Sequence, residues 1–133
     1  MSRAGGARMG ALEKNRAAWP VLVSVAAAQE TISYKQLALE VNRRCGTHII
    51  PRQVGQQALD RIERWCIAQG IPDLTAVVVA EAPHMQGIPG ADFFVKNGLD
   101  PDASVGVRRH RWSQIRNQVW RHPYSAEPPD GLG

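Results

Sequence analysis

Arginine and glutamine are the polar residues whose spacing best suggests chemistry in this 133-residue chain. Arg52, Gln53, Gln56 and Gln57 lie close together in one segment. A guanidinium group binds phosphate or carboxylate oxygens through paired hydrogen bonds, and glutamine can pair with adenine in the same way. Other basic residues lie before and after this segment, namely Lys35, Arg43, Arg44, Arg109, Arg111 and Arg116. The pattern favours contact with nucleic acid, although the solvated face of an ordinary globular protein would carry the same residues.

The sequence lacks the common catalytic and cofactor-binding motifs. It contains no Gly-x-x-x-x-Gly-Lys phosphate loop, no His-Glu-x-x-His zinc motif and no Gly-x-Ser-x-Gly nucleophile motif. Cys45 and His48 have the spacing of a ligand pair, but no second pair completes the four ligands of a structural zinc site. We therefore expect no enzymatic activity, no cofactor, no metal ion and no small-molecule substrate.

Composition indicates one globular domain with acidic partners. Apolar residues make up 44% of the chain and charged residues 21%, which are ordinary globular values. The formal net charge is +4, and a basic chain favours either nucleic acid or an acidic protein. No apolar run approaches the ~20 residues that cross a bilayer, and no hydrophobic signal core follows the first arginines. We expect a cytoplasmic protein without a membrane partner.

Three helices are predicted to position the polar side chains. Apolar spacing predicts a first helix from about residue 9 or 15 to 28, a second from about 34 to 44, and a third over 51–69. Glycines at positions 46 and 70 are expected to end the second and third helices. The third helix has an apolar stripe formed by Val54, Ala58, Leu59, Ile62 and Cys66. This stripe leaves the glutamines on the opposite, exposed face.

The second half of the chain predicts a small β element and a final helix. Residues 74–80 are rich in β-branched side chains and predict a strand. A loop over 81–92 follows, then either a short strand or a loop anchor at 93–95, and a helix over 103–121. We expect a flexible N-terminus (1–8), a single domain (9–121) and an extended Pro/Gly-rich tail (122–133). The order predicts an α+β, mostly helical fold with a winged helix-turn-helix core and an added C-terminal helix.

Three strings of the sequence resemble a known family. They are Trp19-x-x-Leu22, then Glu-Thr-Ile-Ser-Tyr-Lys-Gln-Leu-Ala from Glu30 to Ala38, then Pro-Arg-Gln-Val-Gly-Gln-Gln-Ala from Pro51 to Ala58. Over about residues 16–80 the chain looks like the C-terminal DNA-binding domain of the O6-alkylguanine alkyltransferases and alkyltransferase-like proteins. The resemblance implies a winged-helix fold in which Tyr34 lies against the phosphate of a target nucleotide. It also implies that Arg52 enters the base stack while that nucleotide is flipped out.

The chain departs from that family where alkyl transfer takes place. The reaction requires a cysteine nucleophile in a Pro-Cys-His-Arg string directly after the strand, and residues 76–82 read Ala-Val-Val-Val-Ala-Glu-Ala instead. We therefore predict a non-enzymatic module that binds duplex DNA. The 51–69 helix would lie in the major groove and the 81–92 loop would act as the wing. Lys35, Arg43, Arg44 and the arginines within 108–121 would contact phosphates.

A second hypothesis is that the chain binds an acidic protein complex. Small basic proteins without a catalytic set include phage-encoded inhibitors of host defence such as anti-CRISPR proteins, and a fold alone does not decide function. Aromatic side chains, where exposed, would be the anchors of such an interface. The residues in question are Trp65, Trp112, Trp120 and Tyr124.

Overall fold

The computed structural model describes residues 10–81 and 87–132. Its first part consists of helix α1, strand β1, helix α2 and a helical segment of mixed type. The mixed segment begins with a 3-10 turn, continues as a π-helical turn and ends as helix α3. The bounds are Ala11–Ala27 for α1, Ile32–Ser33 for β1, Tyr34–Cys45 for α2, Pro51–Gln53 for the 3-10 turn, Gly55–Leu59 for the π turn and Asp60–Gln69 for α3.

The second part consists of a 3-10 turn, strand β2, helices α4 and α5, and a final 3-10 turn. The bounds are Leu74–Val77 for the first turn, Val78–Val79 for β2, Ala91–Lys96 for α4, Val105–Arg121 for α5 and Asp130–Leu132 for the last turn. The two strands pair in parallel, with Ile32 opposite Val78 and Ser33 opposite Val79. The described part is therefore mostly helical with a small two-stranded sheet, as expected for the α+β class.

Helix α1 is central to the hydrophobic core. Trp19 and Leu22 on α1, together with Leu37 and Val41 on α2, are almost completely buried. The apolar stripe predicted for the third helix is confirmed, because Val54, Ala58, Leu59, Ile62 and Cys66 are all buried. Gly46 and Gly70 end α2 and α3 with φ values of +67° and +71°. Only glycine adopts this conformation without strain, so both predicted helix ends are confirmed.

Asn15 joins α1 to the beginning of α3. Its side chain is fully buried, and its Oδ1 accepts hydrogen bonds from the backbone nitrogens of Arg61 at 3.1 Å and Ile62 at 3.2 Å. Its Nδ2 donates to the carbonyl oxygens of Ala11 at 2.7 Å and Gln57 at 3.3 Å. The first N–H groups of a helix have no partner within the helix. Asn15 therefore caps α3 from a different helix.

Three sequence-based assignments need correction. Residues 74–77 form a 3-10 turn instead of a strand, because Asp73 caps this turn by accepting from Thr75 N at 3.0 Å. Residues 93–95 lie in helix α4 and do not form a strand, although Phe93 and Phe94 are buried as an anchor would be. The 51–69 segment is helical but is not one continuous α-helix, since a π turn interrupts it.

The C-terminal segment after α5 packs against the rest of the chain. Trp19 Nε1 donates to Ser125 O at 2.8 Å, and Arg16 Nη1 donates to Pro129 O at 3.2 Å. Leu132 is buried in the core. The extended tail expected from the prolines and glycines is therefore held against α1. The expected flexible N-terminus lies outside the described residues.

Candidate nucleic-acid interface

A groove of about 560 Å³ brings together residues from four parts of the chain. We call it the Tyr34 groove. The start of α2 and the beginning of the mixed helical segment form one part of its lining, and residues 80–81 and 90–92 form the other. The lining residues are Tyr34, Lys35, Pro51, Arg52, Gly55, Ala80, Glu81, Gly90, Ala91 and Asp92. Tyr34, Lys35 and Arg52, three of the predicted DNA-contacting residues, thus share one site.

Hydrogen bonds hold the beginning of α2 and the Tyr34 hydroxyl in place. Ser33 precedes it and caps α2, because Ser33 Oγ accepts from Gln36 N at 3.0 Å. The Tyr34 hydroxyl accepts a hydrogen bond from Gly90 N at 3.1 Å. Burial raises the pKa of the Tyr34 phenol, while the bond from Gly90 lowers it. The phenol is therefore protonated at neutral pH and can donate its proton to an oxygen of a bound ligand.

The groove carries both cationic and anionic side chains. Lys35 and Arg52 are exposed. Within residues 10–81 and 87–132, neither takes part in a salt bridge. Asp92, in contrast, contacts Lys96 Nζ at 2.6 Å, and Glu81 is exposed. Two cations are thus available at this groove to meet phosphate oxygens.

The three glutamines predicted to face DNA differ in placement. Gln53 is exposed, and its Oε1 caps the local turn by accepting from Ile50 N at 2.9 Å. Gln56 is exposed. Gln57 faces α1, where its Oε1 accepts from Lys14 Nζ at 2.8 Å. The prediction that Gln57 lies on the exposed face is wrong, because the π turn changes the angular position of the residues around the helix.

Arg43 and Arg44 lie away from Tyr34 at the other end of α2. A helix of 12 residues is about 18 Å long. Both arginines are exposed. Glu40 pairs with each, at 3.7 Å from Arg44 Nη2 and in closer contact with Arg43. Part of their charge is therefore balanced within α2.

The arginines of α5 form a separate group, since no residue of α5 lines the Tyr34 groove. The Arg116 guanidinium lies over the rings of Trp112 at 4.9 Å and Trp120 at 4.3 Å. Arg111 is exposed and Arg109 is half-buried. Arg109, Arg111 and Arg116 thus lie on a different element from Tyr34. The guanidinium group of Arg116 is in contact with two aromatic rings.

The aromatic side chains predicted as interface anchors are mainly packed inside the protein. Trp112 is buried and its Nε1 donates to Ala76 O at 2.6 Å. Trp120, which is half-buried, donates from Nε1 to Glu30 O at 3.1 Å. The Tyr124 hydroxyl donates to Pro72 O at 2.5 Å. None of these three side chains is exposed as an interface anchor would be.

A buried carboxylate pair was not predicted from the sequence. Thr75 Oγ1 lies 2.7 Å from Asp73 Oδ1 and 3.2 Å from Glu63 Oε2. The Thr75 hydroxyl has a single proton, so it can donate to only one of these oxygens at a time. Burial, followed by the charge and hydrogen bond of Asp73, raises the pKa of Glu63 to about 9. Glu63 is therefore neutral at physiological pH.

Lys96 joins this pair to two further carboxylates. Its Nζ lies 2.6 Å from Asp60 Oδ1, 2.6 Å from Asp92 Oδ2 and 3.5 Å from Glu63 Oε1. The carboxylates of Asp60, Glu63 and Asp92 are close enough together to hold a cation, but the ammonium group of Lys96 already supplies the positive charge. The placement of Asp60 and Glu63 on one helix was visible in the sequence, but their contact with Lys96 was not predicted.

Cys66 is unsuited to act as a nucleophile. Its side chain is fully buried, and burial raises the pKa of its thiol to about 12. The thiolate is the reactive form of cysteine. The Cys66 sulfur is therefore unreactive at neutral pH.

No protein family, curated protein or solved structure matches this chain. Among the described residues, no helix combines the length and apolar character required to cross a bilayer.

Proposed function

We propose that this protein binds duplex DNA through the Tyr34 groove and does not act on the DNA as an enzyme. The observation that carries the proposal is the convergence of Tyr34, Lys35 and Arg52 on one groove. We further propose that the protein has a winged helix-turn-helix core and works in the cytoplasm.

The groove is large enough to admit an extruded nucleobase. A volume of about 560 Å³ falls within the ~300–1,000 Å³ range of pockets that enclose small ligands. A protein that flips a nucleotide must accommodate the base in such a pocket and neutralise the phosphate beside it. In this proposal the Tyr34 hydroxyl donates to a phosphate oxygen, and Arg52 takes the place that the base leaves in the stack.

The residues next to Arg52 support a surface that faces the major groove of DNA. Gln53 and Gln56 are exposed in the same helical segment, and either side chain can reach the edge of a base. Lys35 lies at the groove, while Arg43 and Arg44 lie farther along α2. We assign phosphate contacts to these three residues, because such contacts orient a protein on DNA without reading the sequence.

One observation favours an acidic protein partner as the second candidate. Val107 on α5 is 48% exposed, and it lines a small depression together with Arg108 and Arg111. An exposed apolar side chain among arginines is typical of protein interfaces. In this alternative, α5 is the binding surface and the Tyr34 groove has no part in binding.

Binding to random-sequence duplex DNA over a salt series tests the proposal. Fluorescence anisotropy of a labelled duplex gives the affinity at each salt concentration. Arg52→Ala should weaken binding, and the salt slope should fall by about one for each phosphate contact removed. Arg121→Ala is the control, because Arg121 is an exposed arginine on α5, outside the Tyr34 groove.

Two results would contradict the proposal. Absence of binding at low salt would exclude DNA as the partner, since electrostatic contacts are strongest there. Equal affinity of the Arg52→Ala protein and the native protein, combined with weaker binding after Arg111→Ala, would move the interface to α5.

A further inference from the structure

A second cavity lies between the C-terminal segment and the body of the protein. Its volume is about 470 Å³, and we call it the tail pocket. Aromatic rings form part of its lining, and acidic residues of the C-terminal segment form another part. The residues that matter here are Trp19, Trp65, His122, Tyr124, Glu127 and Asp130.

The aromatic rings of the tail pocket are fixed relative to one another. The centroids of Trp19 and Trp65 are 5.7 Å apart with an interplanar angle of 84°. Those of Trp19 and Tyr124 are 6.1 Å apart with an angle of 81°. Trp19 is 1% exposed, whereas Trp65 and Tyr124 are half-buried. Trp19 is therefore the floor of the pocket, and two rings perpendicular to it stand closer to the surface.

Hydrogen bonds hold the polar ends of two rings. Trp19 Nε1 donates to Ser125 O and the Tyr124 hydroxyl donates to Pro72 O. Elsewhere in the protein, arginine guanidinium groups lie over the rings of Phe94, Trp112 and Trp120. In the tail pocket the rings pack on each other, and Tyr124 packs on His122 with centroids 4.5 Å apart.

The charged residues that line the tail pocket are acidic, and one guanidinium group, that of Arg16, contacts the lining residue Pro129 from α1. Glu127 and Asp130 are exposed at its lining. Neither takes part in a salt bridge within the described part of the chain. The negative faces of aromatic rings attract cations, and two nearby carboxylates add to this attraction. The pocket therefore favours a positively charged group of low hydration.

We propose that the tail pocket binds a quaternary ammonium group, such as that of choline or of a trimethylated lysine side chain. The methyl groups of this cation gain from burial against indole and phenol rings, and its delocalised charge gains from the ring faces. A neutral ligand of the same shape would gain from burial alone.

Titration with matched ligands tests the charge requirement. Choline, N-acetyl-trimethyllysine amide and 3,3-dimethylbutan-1-ol, the neutral isostere of choline, are each added while the indole N–H signals are followed by NMR. The two cations should bind about tenfold or more tightly than the neutral alcohol. The cation that binds more tightly identifies the source of the ammonium group. Equal binding of choline and the alcohol, or no binding by either cation, would overturn the proposal.

Variants of the pocket locate the binding site. Trp65→Leu should weaken choline binding by about tenfold, and Trp65→Phe should restore part of it because a ring face returns. Trp120→Leu is the matched control, since Trp120 is a half-buried indole outside the tail pocket. The double variant Glu127→Gln/Asp130→Asn tests whether the two carboxylates strengthen choline binding. Both residues are exposed, so these changes affect the surface alone. Unchanged choline affinity in folded Trp65→Leu protein and in this double variant would overturn the proposal.

Discussion

Asn15 Oδ1 accepts a hydrogen bond from Ile62 N at 3.2 Å across a sequence separation of 47 residues. The same oxygen accepts from Arg61 N at 3.1 Å, so one buried side chain on α1 satisfies two backbone donors at the beginning of α3. This arrangement fixes α3 to the centre of the core. It also places the helical segment that carries Arg52 relative to α1.

Removal of the Asn15 side chain should destabilise the protein strongly. Asn15→Ala leaves buried backbone groups unpaired, and each such group costs about 1–3 kcal/mol. We expect the free energy of unfolding in urea to fall by more than the cost of one lost hydrogen bond. Gln118→Ala, an exposed change on α5, is the control. A loss as small as that of the control would show that α3 does not depend on this cap.

The buried Glu63 should make stability depend on pH. Its pKa is raised from 4.5 to about 9, so the folded state binds one more proton than the unfolded state between these values. The contribution of Glu63 to stability is therefore greatest below the lower value. It falls as pH rises through this window, by up to about 1.4 kcal/mol per pH unit.

Glu63→Gln tests this dependence by mimicking the protonated carboxyl group. We expect the variant to be more stable than the native protein near the upper end of the window and to show a flatter pH profile. Thermal melting at a series of pH values measures both the stability of the variant and its dependence on pH. Glu127→Gln is the control, because Glu127 is exposed. Parallel profiles for the native protein and the Glu63→Gln variant would mean that Glu63 is ionised in the folded state.

Tyr34→Phe should reduce the free energy of DNA binding by more than it reduces the free energy of unfolding. The variant loses the acceptor for Gly90 N, which costs about 0.5–1.5 kcal/mol of stability. It also loses the proposed bond to a phosphate oxygen, and a hydrogen bond to a charged group contributes about 1.5–3 kcal/mol. Urea unfolding and fluorescence anisotropy measure the two effects.

Tyr124→Phe is the matched control for Tyr34→Phe. The Tyr124 hydroxyl also bonds to the backbone, at Pro72 O, but Tyr124 lies outside the Tyr34 groove. We expect this variant to lose stability and to keep its DNA affinity. An equal loss of DNA affinity in the two variants would contradict a direct role for Tyr34.

The C-terminal segment should contribute to global stability. Leu132 is 3% exposed, and replacing a buried leucine by alanine costs about 2–5 kcal/mol. Leu132→Ala should therefore lower the melting temperature clearly, whereas Glu127→Ala should not. A melting temperature equal to that of the native protein would mean that the segment is detached in solution.

The protein should accept no alkyl group from an oligonucleotide that contains O6-alkylguanine. Cys66 is buried and its thiol pKa is raised to about 12. Burial also raises the thiol pKa of Cys45. Mass spectrometry after incubation should show the unmodified mass. An adduct on either cysteine would contradict the absence of a nucleophile.

Local sequence patterns predicted the positions of the helices better than they predicted the contacts between the helices. The stripe from Val54 to Cys66 and the ends at Gly46 and Gly70 follow from spacing and backbone preference, which are properties of short segments. The Asn15 cap joins residues 47 apart in sequence, and the Glu63–Asp73 pair joins α3 to the turn that follows it, so the periodicity of one element could not reveal them. The strand prediction failed at 74–77 because one cap from Asp73 outweighs β-branched composition.

The site was predicted only in part. The family resemblance implies that Tyr34 and Arg52 both contact DNA, and the two residues line the same groove. The spacing of the residues alone did not predict this. The contribution of Gly90 and Asp92 to the same groove could not be predicted, because both come from a region expected to be a loop. Gln57 was assigned to the wrong face, since α-helical spacing was assumed to continue across the π turn.

The π turn at Gly55–Leu59 also makes this part of the chain tolerant of a change in length. Each residue of an α-helix turns the chain by about 100°, and a π turn holds one more residue per turn than an α-helical turn. Loss of one residue here would convert the wide turn into a regular α-helical turn, so the segments on either side would keep facing the same directions. Val54 before the turn and Ile62 after it, both fully buried, would stay in the core. The same deletion farther along α3 would rotate every later residue of that helix by about 100°.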